Sequence, residues 1–453
     1  MDASHMVSGG PLTCVAYTRD GSGSFLLAAS GCVVRLYSAA TGTHVRRLEG
    51  HTAPVTNVAH SAAVVLQALS SGLDGRLILW DLDEACALRT ICVGLPILAM
   101  ALDETQPSSA FVLTGLAPAP GSVAAAAVDV PAYCRDIAAA GRVYAVSLAP
   151  SETQAAWAAA QVAKATSSAS TGTNTADAAG AGTAFGALSK PWPAEVSRLF
   201  TAKGATSLAV ASCGGTLPVL GALGGKLLKL HDTATGATVD FNQRREMSCL
   251  AISPTEPLAA TGDDSGKICL VRIESRCDHT LSSGHAARSG DVRGADASGR
   301  KGGVPKPKTS DMHWHAQRVG ALAFSPDGTY LYSVGKEGVL VSWQLHSGQQ
   351  AFLPRLGAPL TQMSINPAGT GAALVGADNS VRLIDFQASR VRLTVRNREH
   401  CPRTSLHTPC SALSTRCPRA LSHLPAPPPP HAVCTAGVWL VAGDEARRRP
   451  SHT

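Results

Sequence analysis

His51, Ser70 and Asp74 are the three residue types of a hydrolytic proton relay, set in one short stretch with Trp80 close behind. In a hydrolase such a set activates the hydroxyl, the imidazole taking its proton while the carboxylate orients the ring. The same groups also make a structural network, because a buried hydroxyl, imidazole, carboxylate and indole N–H are costly to leave unpaired and cheap to bury as one chain. Spacing decides between the two. The stretch reads GHTAPVTNVAHSAAVVLQALSSGLDGRLILWD from Gly50 to Asp81, with a Gly-His at its start, an Asp-Gly turn and a Trp-Asp at its end. It places His51 before a first strand, Ser70 or Ser71 on a second, Asp74 in the tight turn that follows and Trp80 on a third. The expectation is a structural network of His51, Ser70, Asp74 and Trp80, with no catalytic residue.

A Gly-His followed by a Trp-Asp at this distance is the signature of one WD40 blade, four short antiparallel strands that bury their faces only by stacking on neighbouring blades in a ring. Weaker copies flank it. One precedes it and ends in GCVVRLYSAATGTHVRRLEGH, with Tyr37 and Ser38 at the Trp-Asp position. A third begins at LPILAMALDE and runs through FVLTGLA and VAAAAVDV; a fourth ends in GALGGKLLKLHDTATGATV, with Leu230 to Asp232 as its terminal strand. The fifth is MSCLAISPTEPLAATGDDSGKICLVRI, the sixth VGALAFSPDGTYLYSVGKEGVLVSWQLHSG and the seventh LTQMSINPAGTGAALVGADNSVRLIDFQAS. The fold class expected is all-β, a seven-bladed WD40 β-propeller over residues 9–396 with two flexible insertions, about 151–202 and 275–311, and a disordered tail over 397–453. Outside the clear blade the network looks thin: Asp264 in the fifth unit, Glu337 and Trp343 in the sixth, Asp378 in the seventh. Those blades are expected to rest on apolar packing.

Other chemistry finds no support. GALGGK at Gly221–Lys226 has glycines at the wrong spacing for a phosphate loop and no Ser or Thr after the lysine, so it reads as a turn; HExxH, GxSxG and dinucleotide fingerprints are missing. No cofactor, metal or small-molecule substrate is expected. Of thirteen cysteines, Cys14, Cys32, Cys249 and Cys269 lie in or beside apolar strand patterns, and no CxxC occurs, which predicts buried reduced thiols. Cys401, Cys410, Cys417 and Cys434 with His400, His407, His423 and His431 match no zinc spacing. No apolar run is long enough for a membrane helix, and Met1–Pro11 lacks the apolar stretch of a signal peptide, so the protein is expected inside the cell without a membrane partner.

The first insertion is dominated by Ala, Ser, Thr and Gly and is expected to be flexible. The second carries Arg288, Arg293, Arg300, Lys301, Lys306 and Lys308. Such a loop suits phosphate contacts, although a merely solvated loop fits too, because no aromatic residues are interleaved for base stacking. The net charge of +7 misleads as a guide to a polyanion partner: from Arg390 onward ten arginines face three acids, a surplus equal to the charge of the whole chain. The propeller body is thus close to neutral. The tail has no strand or helix period and a proline run from Pro427 to Pro430. Two origins fit it, a native disordered tail or an intron carried into the reading frame.

Several segments go beyond blade grammar: LYSAATGTHVRRLEGHTAPVTNVA, LQALSSGLDGRLILWDLDEACALRTICVG, ISPTEPLAATGDDSGKICL, HWHAQRVGALAFSPDGTYLYSVGKEGVLVSW and FLPRLGAPLTQMSINPAG. With them the chain resembles the WD repeat-containing protein 75 family. The resemblance covers most of residues 25–95 and 246–390 and is carried above all by Phe352–Gly357, which no generic repeat requires. It implies a nucleolar, non-catalytic scaffold, a subunit of the UTP-A complex of the small-subunit processome, which engages the 5′ spacer of nascent pre-rRNA and supports pre-18S processing and transcription by RNA polymerase I. Its partners would be other UTP-A and processome proteins, with pre-rRNA contacted directly or through them. Arg300, Lys301, Lys306, Lys308 and Arg355 are the residues expected to touch RNA or a partner. The family continues into a second propeller and a helical region, whereas the match here stops near Arg396. A WD40 adaptor that recruits protein partners without RNA, in ubiquitin ligation or signalling, is the alternative; a propeller enzyme would need acids or metal ligands around the central channel, and none are evident.

Overall fold

The computed structural model describes residues 10–18, 24–61, 64–117, 131, 134, 138–149, 191–214, 217–273 and 308–396. These form twenty-nine β-strands in seven sheets, with no α-helix among the described residues. The sheets open with β1 (Leu12–Tyr17), β5 (Val55–His60), β9 (Ile97–Leu102), β14 (Ser207–Cys213), β18 (Met247–Ile252), β22 (Val319–Phe324) and β26 (Leu360–Ile365). Each first strand packs on the next, and β26 returns to β1, so the seven blades close a ring.

Blades stack face to face, so their middle strands are covered on both sides and read as unbroken apolar or small runs rather than alternations. In β2 (Phe25–Ser30) and β27 (Gly371–Gly376), FLLAAS and GAALVG are almost wholly buried, the small residues letting neighbouring sheets approach. Outer strands such as β4 (His44–Glu49) and β29 (Arg390–Arg396) are largely exposed. Every interface between blades has its own core; that of the first and second joins Leu27, Leu36 and Leu48 to Val55, Ile78 and Trp80.

The seam between the first and last blades shares no strand, since the first sheet comes wholly from residues 12–49 and the last wholly from residues 360–396. Val15, Tyr17 and Leu26 pack there against Ala373, Val375 and Leu383. Hydrogen bonds cross it from the Leu12 N–H to Asn379 Oδ1 at 2.7 Å and from the Tyr17 N–H to Ser364 Oγ at 3.3 Å.

Several boundaries differ from expectation. The third blade runs β9, β10 (Ser109–Thr114), β11 (Arg142–Ser147) and β13 (Val196–Thr201), so its third strand is RVYAVS, while VAAAAVDV lies outside the described residues. Its outer strand falls within 151–202, cut off from β11 in sequence by the Ala-rich segment, which hid the pairing. Just before it, β12 (Trp192–Pro193) runs parallel to β8 (Cys86–Cys92) and extends the second blade to five strands, where an edge position tolerates proline. The Arg89 guanidinium lies 4.8 Å from the centre of the Trp192 ring there. In the fourth blade β16 (Leu227–Asp232) is followed by a further outer strand, β17 (Thr238–Asn242), and Gly221–Gly224 belong to β15 (Leu217–Gly224), leaving only Gly225 and Lys226 as the turn. The start of β21 (Thr309–His313) falls within 275–311, as the outer strand of the fifth blade beside β20 (Lys267–Arg272). The tail over 397–453 lies outside the described residues.

Because the strands of a blade alternate in direction, alternate connections fall on opposite faces of the ring. Second-to-third turns and blade-to-blade connections share one face, here the tetrad face; first-to-second and third-to-fourth connections share the other. Segments 150–190 and 274–307 both interrupt third-to-fourth connections, so their flanking residues stand on that insertion face.

Candidate functional site

In the second blade the groups read from the sequence form a continuous chain. His51 Nδ1 is 2.9 Å from Asp74 Oδ2, His51 Nε2 is 2.7 Å from Ser70 Oγ, and Trp80 Nε1–H donates to Ser70 Oγ at 2.7 Å. One proton arrangement satisfies every group: the indole donates to Ser70, Ser70 donates to Nε2, and Nδ1–H donates to Asp74. Asp74 also accepts the N–H groups of Thr52 and Arg76, tying the preceding connection to the turn. Ser71 is not a member; its hydroxyl pairs with Thr56 Oγ1 at 3.0 Å. Ser70 has no exposed surface and its oxygen already accepts the indole proton, so no substrate reaches a nucleophile there.

The sixth blade holds a second tetrad that the sequence pattern shows only in part. His315 Nε2 lies 2.8 Å from Ser333 Oγ, which accepts Trp343 Nε1–H at 2.9 Å. The fourth member is Glu337, one methylene longer than Asp74. Its Oε1 accepts the Gln317 N–H, but Oε2 stops 3.4 Å from His315 Nδ1, and neither of those two buried atoms has a hydrogen bond. Burial lowers the His315 pKa below 6.5, against the opposing pull of Glu337. The signal that finds His315 and Ser333 is spacing: Ser and Trp are ten residues apart in both blades, and His precedes Ser by 19 and 18. Trp314 in place of a glycine before the histidine concealed it.

A glycine ends the second strand in both tetrads, for a steric reason. A Cβ on Gly72 would stand 2.7 Å from Asp74 Oδ1 and 2.8 Å from His51 Nδ1, and one on Gly335 would stand 2.3 Å from Glu337 Oε2. In the fifth blade that position is Asp263, not Asp264. The Asp263 carboxylate is buried and caps its own turn, accepting the N–H groups of Ser265 and Lys267, while Asp264 is exposed and faces Arg318 at 3.4 Å. In the seventh, Asp378 holds Arg382 at 2.6 Å and accepts the Ser380 hydroxyl. Burial pushes the Asp378 pKa up, but the Arg382 and Ser380 hydrogen bonds outweigh it and the net shift is downward.

The ring's faces differ in charge. On the insertion face the described connections expose Asp83, Glu84, Glu104, Glu256 and Asp327, with Lys308 the one lysine or arginine among them. On the tetrad face they expose Lys203, Lys226, Arg244, Arg245, Lys336 and Arg355, and none of these six is ion-paired with a described residue. Lys308 and Arg355 therefore stand on opposite faces; Arg300, Lys301 and Lys306 lie outside the described residues. Buried Cys14, Cys249 and Cys269 have their thiols pushed up to about 12, chiefly by desolvation. No group of three metal-ligating side chains occurs among the described residues.

The profile of the WD repeat-containing protein 75 first beta-propeller matches residues 17–170 and 306–379, strands of the first three blades and of the sixth and seventh, with the outer strand of the fifth. The chain belongs to the WD repeat-containing protein 75 family. WD repeat-containing protein 75 of Danio rerio is 24% identical over 367 residues, 80% of this chain and 35% of its own length; that of Xenopus laevis is 26% identical over the same shares. U3 small nucleolar RNA-associated protein 17 of Schizosaccharomyces pombe is 40% identical over 73 residues, 16% of this chain and 9% of its own. The chain thus spans about a third of the length of the WD repeat-containing protein 75 relatives it matches.

Proposed function

We propose that this chain is a non-catalytic scaffold of ribosome biogenesis, the propeller portion of a small-subunit processome component that acts in the nucleolus, supports pre-18S rRNA processing and sustains RNA polymerase I transcription. The observation that carries the reading is the match to one particular propeller, the first of WD repeat-containing protein 75, in the first three blades and the last two. The similarity to a protein named for its association with U3 small nucleolar RNA points the same way. A ring of blades suits the role, since a rigid platform with two chemically different faces holds several partners through many modest contacts. The partners are other UTP-A and processome proteins together with pre-rRNA.

The test is purification of the tagged endogenous protein from growing cells, with mass spectrometry of bound proteins and sequencing of bound RNA. Enrichment of UTP-A subunits with the 5′ pre-rRNA spacer is expected. Recovery of a ubiquitin-ligase or signalling complex with no processome protein would replace this reading with that of a protein-recruiting adaptor.

A further inference from the structure

We propose that the tetrad face from the fourth to the seventh blade binds a single strand of nucleic acid, cations meeting its phosphates and the exposed ring of Phe352 stacking on a base. Lys226, Arg244, Arg245, Lys336 and Arg355 lie on four of the connections of this face, all exposed, with the connections of Asp264 and Arg318 between Arg245 and Lys336 and with Glu246 the exposed acid beside them that has no cationic partner among the described residues. The other exposed acids, Asp264 and Asp378, face Arg318 and Arg382. A string of unneutralised cations along a rigid rim is the footprint that a phosphodiester backbone, with one charge per nucleotide, satisfies.

The aromatic contribution separates a nucleic-acid strand from an acidic peptide. Phe352, the last residue of β25 (Gln350–Phe352), is 63% exposed, far more than a ring of its size needs in order to pack. Trp314 lies behind it, ring centres 5.3 Å apart and planes tilted by 30°, and Trp314 in turn meets His315 edge-on at 5.4 Å. The outer ring is thereby propped from the buried tetrad, three residues before Arg355. Exposed aromatics beside cations are the composition of single-strand channels, where bases stack and phosphates pair. A duplex keeps its base faces stacked inside and polyglutamate has none, so neither satisfies Phe352. The connections described on the opposite face expose five acids and one lysine, and so offer the same ligand no comparable set of cations.

The identity of the strand as pre-rRNA rests on the scaffold role proposed above; its chemistry does not. The purified full chain is titrated with fluorescein-labelled oligouridylate over a range of salt. Binding is expected to weaken with salt, and Arg244→Ala, Arg245→Ala, Lys336→Ala and Arg355→Ala together to lower the log–log slope by about 3, at roughly 0.7 for each phosphate left unpaired. Phe352→Ala should weaken binding about ten-fold at an unchanged slope, the signature of abolished stacking. Lys308→Ala, on the other face, should change nothing. Circular dichroism checks that these surface variants stay folded. An unchanged slope in the four-alanine variant, a neutral Phe352→Ala, duplex bound as tightly as single strand, or polyglutamate displacing the oligonucleotide at equal charge would each overturn the proposal. No cellular partner is present in the titration, so its failure is distinct from failure of the co-purification.

Discussion

Replacing Ser70 with alanine isolates what the buried chain contributes to the fold. The hydroxyl is the one atom shared by Trp80 Nε1–H and His51 Nε2, each 2.7 Å away, in surroundings where Ser70, Trp80 and His51 are 0%, 1% and 7% exposed. Its loss leaves one donor and one acceptor buried without partners, each at about 1–3 kcal/mol. Alanine itself has no hydroxyl to satisfy, which returns a small part, so the net cost expected is about 2–4 kcal/mol. The assay is urea unfolding followed by far-UV circular dichroism, with the midpoint shift converted to free energy where the slope is unchanged. In a Trp80→Phe background the indole donor is already gone, so the cost of Ser70→Ala should shrink by about 1–2 kcal/mol, as groups sharing one network are coupled. A loss below about 1 kcal/mol, or the same loss in both backgrounds, would refute the claim that these bonds support the blade.

The second tetrad makes the opposite kind of prediction. Glu337→Asp shortens the side chain to that of Asp74, brings a carboxylate oxygen onto His315 Nδ1 and should raise the unfolding free energy by about 0.5–1.5 kcal/mol, read as a higher urea midpoint; a lowered midpoint would show that the 3.4 Å gap is not a defect. Gly72→Ala drives a methyl into Asp74 Oδ1 and His51 Nδ1 and should cost about 1–3 kcal/mol, read in the same unfolding assay, and retention of full stability would contradict the steric account. His315, held below 6.5 by burial, binds fewer protons folded than unfolded. Its share of stability is therefore complete above pH 6.5 and is lost as pH falls below that value, by at most about 1.4 kcal/mol per unit. Because His231 is lowered by burial as well, the comparison is between wild type and His315→Gln, which should lose less stability between pH 6.5 and 5; parallel curves would remove His315 from the account.

The parts of the fold that the sequence displayed are those where one residue type has one use. A Gly-His, an Asp-Gly turn and a Trp-Asp fixed the second blade because the tetrad admits few substitutes, and the apolar middle strands of the fifth to seventh blades could be counted for a similar reason. The third blade was hard to read because β11 and β13 pair across the Ala-rich segment, and strand pairing at that distance leaves no local mark. Of the second tetrad only Glu337 and Trp343 were legible, because Trp314 stands where a glycine usually announces the histidine, although the interval from serine to tryptophan is intact. In the fifth blade two adjacent aspartates looked equivalent, and only the turn shows that Asp263 caps it while Asp264 meets solvent.

Charge was the least legible property, and the reason is topological. Along the sequence the body's acids and bases are interleaved, and they nearly cancel. Strand direction sorts them: each passage through a blade sends successive connections to alternate faces, so Asp83, Glu104, Glu256 and Asp327 collect on one side while Arg244, Lys336 and Arg355 collect on the other. The same sorting parts Lys308 from Arg355, which in sequence looked like members of one binding group. Among the described connections a polyanion meets two faces of different charge, and association with the tetrad face should fall with ionic strength. That local arrangement of charge, with the propped Phe352 beside it, is what the proposed single-strand contact uses.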